Sequence, residues 1–133
     1  MKLKIAINGF GRIGRLTLRA IIERNIKNLE VVAINDLGNL ESNIHLLKYD
    51  SIHGILNEQF KLKNESLLLQ HHKIRFLKEP DPGNLPWNKL DVDLVIECTG
   101  RFTSRSDSEK HLKTGAKKVL ISAPAKDPDM TVV

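Results

Sequence analysis

Three closely spaced glycines follow the first apolar run of the chain, in the order Gly9-Phe-Gly11-Arg-Ile-Gly14. After a strand, this spacing permits a tight turn, a close approach of the backbone to a pyrophosphate, and close packing of the next helix on the strand. That helix directs free N–H groups and the positive end of its dipole at the phosphates. Glycine turns are common, so the prediction of a dinucleotide site depends on the residues around them.

Asp36 closes the next apolar run, twenty-two positions after Gly14. A carboxylate at the end of the second strand accepts hydrogen bonds from the adenosine ribose hydroxyls and repels the additional phosphate of NADP. The sequence therefore predicts NAD as the cofactor. The alternative interpretation is an aspartate that only caps a loop.

The single cysteine, Cys98, lies in an apolar run without a basic neighbour to lower its pKa, so we interpret it as an inert core residue. A lone cysteine cannot form an internal disulfide, which fits a reducing compartment. His71 and His72 are adjacent in a predicted strand, where their side chains would point to opposite faces. We predict no metal site, and we treat the remaining histidines as ordinary surface or hydrogen-bonded residues: His45, His53 and His111.

Arginines recur along one face of the predicted first helix, at Arg12, Arg15 and Arg19. Arg12 lies inside the glycine motif, close to the expected phosphates. The other two are interpreted as solvated surface.

The elements that position these residues alternate between strands and helices. Apolar runs predict strands over residues 3–8, 30–35, 93–98 and 118–123. Amphipathic spacing predicts a helix over residues 12–24. This alternation predicts an α/β fold with a Rossmann-type, doubly wound, mostly parallel sheet. Ligands bind at the carboxyl ends of such strands, which here carry Asn8-Gly9, Asn35-Asp36, Thr99-Gly100 and Ser122-Ala123.

Other segments join these elements. The spacing of residues 40–47 predicts a short helix, and residues 57–78 predict a small β-hairpin insertion. Prolines between residues 80 and 86 predict a loop that carries Trp87.

The last third of the chain predicts one more helix and one more strand. Ser106 with Glu109 three residues later is typical of a capped helix start, and Gly115 is typical of a helix end. Residues 130–133 predict the beginning of a further strand.

Composition favours one globular domain, because 133 residues with 41% hydrophobic and 28% charged residues suffice for a single core. We expect residues 1–133 to form one NAD-binding domain. The net charge of +5 comes from scattered lysines and arginines, so no specific nucleic-acid partner is predicted. No apolar stretch has the length of a signal peptide or a membrane span, and we expect a cytoplasmic protein without a membrane partner.

Beyond the glycine motif, several blocks resemble phosphorylating glyceraldehyde-3-phosphate dehydrogenases. They occur in the order and spacing of that family along essentially the whole chain. The blocks are residues 6–15, 33–36, 46–54, 84–87, 97–100 and 115–124.

The resemblance implies a set of cofactor-binding residues. Arg12 and Ile13 would contact the pyrophosphate, Asp36 would hold the adenosine ribose, and Ser122 would lie beside the nicotinamide. The complete set is Asn8, Gly9, Phe10, Gly11, Arg12, Ile13, Gly14, Asn35, Asp36, Thr99, Gly100, Phe102 and Ser122. The family often has a basic residue where this chain has Pro80, so that contact is expected to be missing or backbone-mediated.

The resemblance also implies an activity that residues 1–133 do not contain. In the family, a cysteine in a Ser-Cys-Thr-Thr-Asn motif attacks glyceraldehyde 3-phosphate with the help of a histidine base. Hydride then passes to NAD, and inorganic phosphate releases 1,3-bisphosphoglycerate. Neither catalytic residue occurs here, so we expect the N-terminal portion of such an enzyme, inactive alone, whose full-length form is a homotetramer.

Three alternatives stay open at this point. A related erythrose-4-phosphate dehydrogenase shares much of the opening motif, although it often carries glutamate where this chain has Asp36. A non-catalytic nucleotide- or RNA-binding fragment would bind single-stranded RNA in a salt-dependent way, but the sequence offers no aromatic stacking platform. The third alternative is a piece without an independent function that associates through exposed sheet surface.

Overall fold

The computed structural model describes residues 2–50, 54–55 and 61–123. Its elements, in chain order, are β1 (Leu3–Asn8), α1 (Arg12–Glu23), β2 (Leu29–Asn35), α2 (Leu40–Lys48), β3 (Tyr49–Asp50), β4 (Gly54–Ile55), β5 (Lys61–Lys63), β6 (Ser66–Leu69), β7 (His72–Leu77), a 3-10 helix (Pro82–Asn84), β8 (Leu94–Glu97), α3 (Arg105–Lys113) and β9 (Lys118–Ile121). The strand predicted over residues 130–133 and His53 lie outside the described residues.

The main sheet has seven strands in the order β5-β6-β7-β2-β1-β8-β9. The strands β7, β2, β1, β8 and β9 are parallel to their neighbours in this run. Numbered along the chain, these parallel strands have the spatial order 3-2-1-4-5, which is the order of a Rossmann sheet. The prediction of a doubly wound, mostly parallel α/β fold is confirmed.

The described part of the predicted hairpin insertion, residues 61–78, extends the edge of this sheet, whereas residues 57–60 lie outside the described residues. β5 and β6 pair in antiparallel fashion, and β6 pairs with β7 in the same way. β7 in turn runs parallel to β2, with Ala33 opposite Arg75. A separate antiparallel pair is formed by β3 and β4.

Alternating side chains of the central strands fill two cores, one on each face of the sheet. Ile7 and Ile34 point to the face that packs against α1, together with Leu18 and Ile22. Their neighbours Ala6 and Ala33 point to the opposite face. There they meet Leu85, Trp87, Val92, Val95 and Ala116. The strands β1 and β2 therefore contribute side chains to both cores.

Helix α3 starts two residues earlier than the pattern of Ser106 and Glu109 predicts. Ser104 is the N-cap, and its hydroxyl accepts a hydrogen bond from the backbone N–H of Asp107 at 3.1 Å. The Asp107 carboxylate in turn accepts a hydrogen bond from the Ser104 N–H, which completes a capping box. The prediction that Ser106 and Glu109 cap this helix was therefore wrong, because Ser104 and Asp107 form the capping box.

Arg19 is buried, although the sequence pattern predicts a solvated side chain. Its guanidinium donates to the carbonyl of Leu47 at 3.2 Å and pairs with Glu23. Because this contact joins α1 to the last turn of α2, helical spacing within α1 alone does not reveal it. Arg15 is half-buried and Arg12 is exposed.

His71 and His72 do not point to opposite faces as predicted, because His71 belongs to the turn before β7. The ring centroids are 4.0 Å apart. The Nε2 atom of His71 lies 2.8 Å from the carbonyl of Leu29, and the Nδ1 atom of His72 accepts a hydrogen bond from Val31. Each ring therefore bonds to the backbone of β2.

In the described part of the chain, no helix combines the length and apolar character needed to cross a bilayer.

Candidate functional site

The sheet reverses its winding direction between β1 and β8. The chain leaves β1 through the glycine loop and α1, whereas β8 lies on the other side of β1 and continues towards β9. The two strand ends approach so closely that a Cβ atom on Gly9 would lie 2.7 Å from the Thr99 nitrogen. Gly9 also has a φ of +92°, which glycine tolerates far better than other residues. Open α/β sheets bind ligands at such a switch point.

Gly11, at the end of the loop that follows, and Gly14, in the first turn of α1, have different roles. A Cβ atom on Gly14 would lie 2.3 Å from the carbonyl oxygen of Gly9, so only glycine lets α1 pack on the loop. A Cβ atom on Gly11 would meet no atom within 4 Å. Since no part of the described chain requires glycine at position 11, the open space beside it is available to a ligand.

The N-terminus of α1 faces this open space without a side chain of its own to neutralise it. Gly11 is the N-cap and provides no side-chain hydrogen bond, and no acidic residue lies in the first turn of this described helix. The N–H groups of this turn are therefore a suitable anion-binding surface. Arg15 fixes the preceding loop, because its Nη1 atom donates to the carbonyl of Phe10 at 3.1 Å.

Asp36 lies at the carboxyl end of β2 and faces the same loop. Its Oδ1 atom accepts from the backbone N–H of Phe10 at 2.8 Å, and its Oδ2 atom accepts from Gly38 at 2.9 Å and from Asn43 at 3.1 Å. Burial raises the pKa of this carboxyl. The hydrogen bonds and the charge of Arg15 together lower it by a larger amount, so the net pKa is below the ordinary value. Asp36 is an ionised acceptor with one lone-pair position left for a ligand.

The strand ends enclose a cavity of about 280 Å³. Its walls bring together seven of the residues predicted for the site: Asn8, Gly9, Gly11, Asn35, Asp36, Thr99 and Phe102. The structure thus collects residues that are up to ninety-four positions apart in the chain, from Asn8 to Phe102.

The other predicted site residues lie outside the cavity wall. Phe10, in the loop, and Gly14, in α1, are both buried, and Phe10 packs edge-on against Phe76. Arg12 and Ile13 are exposed in the first turn of α1. Gly100 is exposed after β8, and Ser122 is exposed after β9, where its N–H donates to the carbonyl of Glu97.

Comparison with known proteins matches this sequence to one family. A family model described as "Glyceraldehyde 3-phosphate dehydrogenase, NAD binding domain" matches residues 3–105. The chain belongs to the glyceraldehyde-3-phosphate dehydrogenase family. Residues 3–105 match the NAD-binding domain of this family, and NAD is the cofactor of this domain.

Curated relatives agree along the whole chain. The glyceraldehyde-3-phosphate dehydrogenases of Streptomyces coelicolor and Geobacillus stearothermophilus are 49% and 50% identical to it over all 133 residues. That of Thermotoga maritima is 52% identical over 130 residues, or 98% of the chain. In each case the chain spans 39% of the relative's length.

The NAD-binding domain presents groups that fit a dinucleotide. The open space beside Gly11 and the uncapped first turn of α1 suit a pyrophosphate. The ionised Asp36 suits a ribose hydroxyl, and the ring of Phe102 provides an apolar surface on the same wall. All three groups belong to this one chain.

Several cavity residues were missed by sequence reasoning: Leu37, Gly38, Glu79, Cys98 and Arg101. Cys98 was predicted to be a core residue, but it is half-buried and lies on the cavity wall. Burial raises the pKa of its thiol, which agrees with the prediction that it is not a nucleophile. Pro80 also lines the cavity, so the departure noted in the sequence is at the site itself.

A buried polar network lies directly beneath the crevice. It contains Glu97 and His111, which are 1% and 0% exposed and which sequence reasoning did not assign to the site. A glutamate at the end of an otherwise apolar strand was the signal that could have revealed it, because an isolated buried carboxylate is costly without donors. In the described part of the chain, no cluster of three or more metal-ligating side chains occurs.

Proposed function

We propose that the cavity at the ends of β1, β2 and β8 holds the adenosine half of NAD. The observation that carries this proposal is the convergence of the Asp36 carboxylate, the glycine loop and Thr99 on one cavity. Its volume of about 280 Å³ is close to the lower limit for ligand clefts, which suits part of a dinucleotide rather than all of it.

Each residue of the site then has a defined role. The N–H groups that follow Gly11 bind the pyrophosphate, with Arg12 and Ile13 beside them. Asp36 accepts a hydrogen bond from the ribose, and Phe102 borders the adenine. The remaining members line or support the crevice: Asn8, Gly9, Phe10, Gly14, Asn35, Thr99 and Gly100. Ser122 lies towards the nicotinamide half.

The Asp36 carboxylate makes the site selective for NAD over NADP. Its hydrogen bonds from Phe10, Gly38 and Asn43 keep it ionised. An additional phosphate on the ribose would be placed against this negative charge and would be repelled.

We further propose that the whole protein oxidises glyceraldehyde 3-phosphate to 1,3-bisphosphoglycerate with inorganic phosphate. Bound NAD supplies the hydride acceptor, and residues 1–133, as one domain, bind and orient it. The catalytic cysteine and histidine come from sequence beyond this domain. The names of the relatives support this substrate over erythrose 4-phosphate, and the family resemblance supports a cytoplasmic homotetramer.

A chimera tests whether residues 1–133 can serve as the cofactor-binding part of such an enzyme. Residues 1–133 replace the corresponding N-terminal segment of the Geobacillus stearothermophilus relative, which is 50% identical over this stretch. We expect NADH formation that requires both glyceraldehyde 3-phosphate and inorganic phosphate. A second chimera in which Asp36→Asn is added serves as the control for cofactor choice.

The outcomes separate the alternatives. Comparable rates on erythrose 4-phosphate by the full-length protein would replace the proposed substrate. A folded chimera that binds single-stranded RNA but forms no NADH would favour the RNA-binding alternative. A folded chimera that prefers NADP would contradict the role given to Asp36.

A further inference from the structure

Four hydrogen-bond donors converge on the buried carboxylate of Glu97. Its Oε1 atom accepts from Asn8 Nδ2 at 2.6 Å and from His111 Nε2 at 2.8 Å. Its Oε2 atom accepts from the backbone N–H of Thr99 at 3.0 Å and from its hydroxyl at 2.6 Å. A carboxylate offers about four acceptor positions, so all of them are filled.

This arrangement requires an ionised Glu97. Burial raises its pKa, but the hydrogen bonds from His111, Thr99 and Asn8 lower it to a net value below the ordinary one. A protonated carboxyl would direct its own hydrogen at one of these donors. The network thus holds a permanent negative charge at the carboxyl end of β8, beneath the crevice.

His111 connects Glu97 to the loop after the 3-10 helix. Trp87 Nε1 donates to His111 Nδ1 at 3.0 Å, so Nδ1 is the acceptor and Nε2 carries the proton directed at Glu97. Both rings are fully buried and lie 6.2 Å apart in a stacked arrangement. Trp87 therefore fixes the tautomer in which His111 donates to the carboxylate.

The other end of the network reaches the cavity wall. Asn8 Oδ1 accepts from Asn35 Nδ2 at 2.7 Å. Asn35 also bonds to both backbone groups of Glu79, at 2.8 Å each. Asn8, Asn35, Glu79 and Thr99 all line the cavity, whereas Glu97, His111 and Trp87 do not.

We propose that Glu97, held by His111 and Trp87, is a positioning residue for the cofactor crevice, setting the separation of the β1 and β8 ends through Asn8 and Thr99. This inference rests on the proposed cofactor site. The gap it sets is narrow, because a Cβ atom on Gly9 would already lie within 3.0 Å of Thr99 and Cys98. A small displacement of Thr99 thus changes the space in which the loop receives a ligand.

Two substitutions of His111 test the proposal. His111→Gln retains one donor and one acceptor, whereas His111→Leu removes both and leaves the Trp87 N–H and the Glu97 carboxylate short of a partner. We expect His111→Leu to weaken NAD binding about tenfold, the effect of roughly one net hydrogen bond, and His111→Gln to stay within about twofold of the original chain.

His72→Leu is the matched control. His72 is a buried histidine on the same sheet, 2% exposed, and its Nδ1 atom also accepts a hydrogen bond. Its partner is the backbone N–H of Val31, four residues before the end of β2. We expect this variant to lose stability but to bind NAD within about twofold of the original chain.

Trp87→Phe covers the case in which His111→Leu does not fold. It preserves the aromatic packing and removes only the outermost donor. We expect faster hydrogen exchange at the Thr99 amide, measured by NMR, together with NAD binding weakened by about threefold.

The result that overturns the proposal is a folded His111→Leu chain that binds NAD as the original does. Equal weakening in His111→Leu and His72→Leu would also overturn it, because the effect would then follow from stability alone. If Trp87→Phe is measured instead, the proposal is overturned when both the hydrogen exchange of the Thr99 amide and the affinity for NAD are unchanged. An original chain that fails to bind NAD contradicts the proposed cofactor site, whereas Thr99 exchange still reports on Glu97 in that chain.

Discussion

The carboxylate of Asp36 accepts a hydrogen bond from the backbone N–H of Phe10 at 2.8 Å. This bond joins the end of β2 to the middle of the glycine loop, twenty-six residues earlier in the chain. Phe10 is itself buried against Phe76, so the loop is held by a polar contact on one side and an apolar contact on the other. The proposed ribose acceptor thus also orders the proposed pyrophosphate loop before any ligand binds.

Asp36→Asn is expected to weaken NAD binding about tenfold and to reduce the preference for NAD over NADP. The asparagine side chain cannot accept from Phe10, Gly38 and Asn43 at once, because its NH2 group replaces one of the two accepting oxygens and would face a donor. Asp81→Asn is the matched control, because Asp81 caps the 3-10 helix by accepting from Gly83 and does not line the cavity. Titration calorimetry with both cofactors measures the ratio, and an unchanged ratio would contradict the role of Asp36.

Gly11→Ala and Gly14→Ala are expected to separate binding from folding. Gly11 has room for a Cβ atom and a φ of −78°, so its substitution should cost less than about 1 kcal/mol of stability but obstruct the pyrophosphate. Gly14 has no such room, because the Cβ atom would lie 2.3 Å from Gly9 oxygen, and overpacking should cost about 2–3 kcal/mol. Urea unfolding and NAD titration on both variants check this. NAD binding by Gly11→Ala as tight as that of the original chain would contradict the assignment of the phosphate site.

Pro80→Arg is expected to strengthen NAD binding about threefold at low salt. Pro80 is exposed on the cavity wall and follows Glu79, whose backbone is held by Asn35. A cation there would attract the phosphates, and the gain should shrink as salt increases. Pro80→Gln separates the loss of the proline ring from the gain of charge. An equal gain in Pro80→Gln would refute the electrostatic explanation.

Acid is expected to destabilise the fold through His72. Burial, followed by the charges of His71 and Lys2, lowers the pKa of His72 from 6.5 to about 4. Its folded-state pKa is below the unfolded value, so the unfolded chain binds the proton first as the pH falls. The free energy of unfolding should drop by roughly 3 kcal/mol between pH 6.5 and pH 4.

His72→Leu should remove most of this pH dependence, whereas the control His45→Gln, at an exposed residue, should retain it. Urea unfolding at several pH values measures both. A pH dependence that survives in His72→Leu would assign it to other groups.

Local pattern and motif spacing were enough to predict the strand before the glycine loop, the loop itself and the position of Asp36. These features depend on residues close together in the chain, and β1 has the bounds that its apolar run predicts, Leu3–Asn8. The parallel order of the sheet also followed, because alternating strands and helices permit few topologies.

Contacts between distant elements could not be predicted in the same way. The burial of Arg19 depends on the carbonyl of Leu47, and that of His111 depends on Glu97 and Trp87. Nothing in the residues next to Arg19 or His111 indicates these partners. Ser104 and Ser106 both precede an acidic residue by three positions, so only the geometry of the helix start distinguishes the two caps.

Titration calorimetry of the 133-residue chain with NAD and with NADP tests the central claim most directly. We expect binding of one NAD per chain, with NADP at least about tenfold weaker because its additional phosphate meets the ionised Asp36. Tighter binding of NADP, or no binding of NAD by a folded chain, would contradict it.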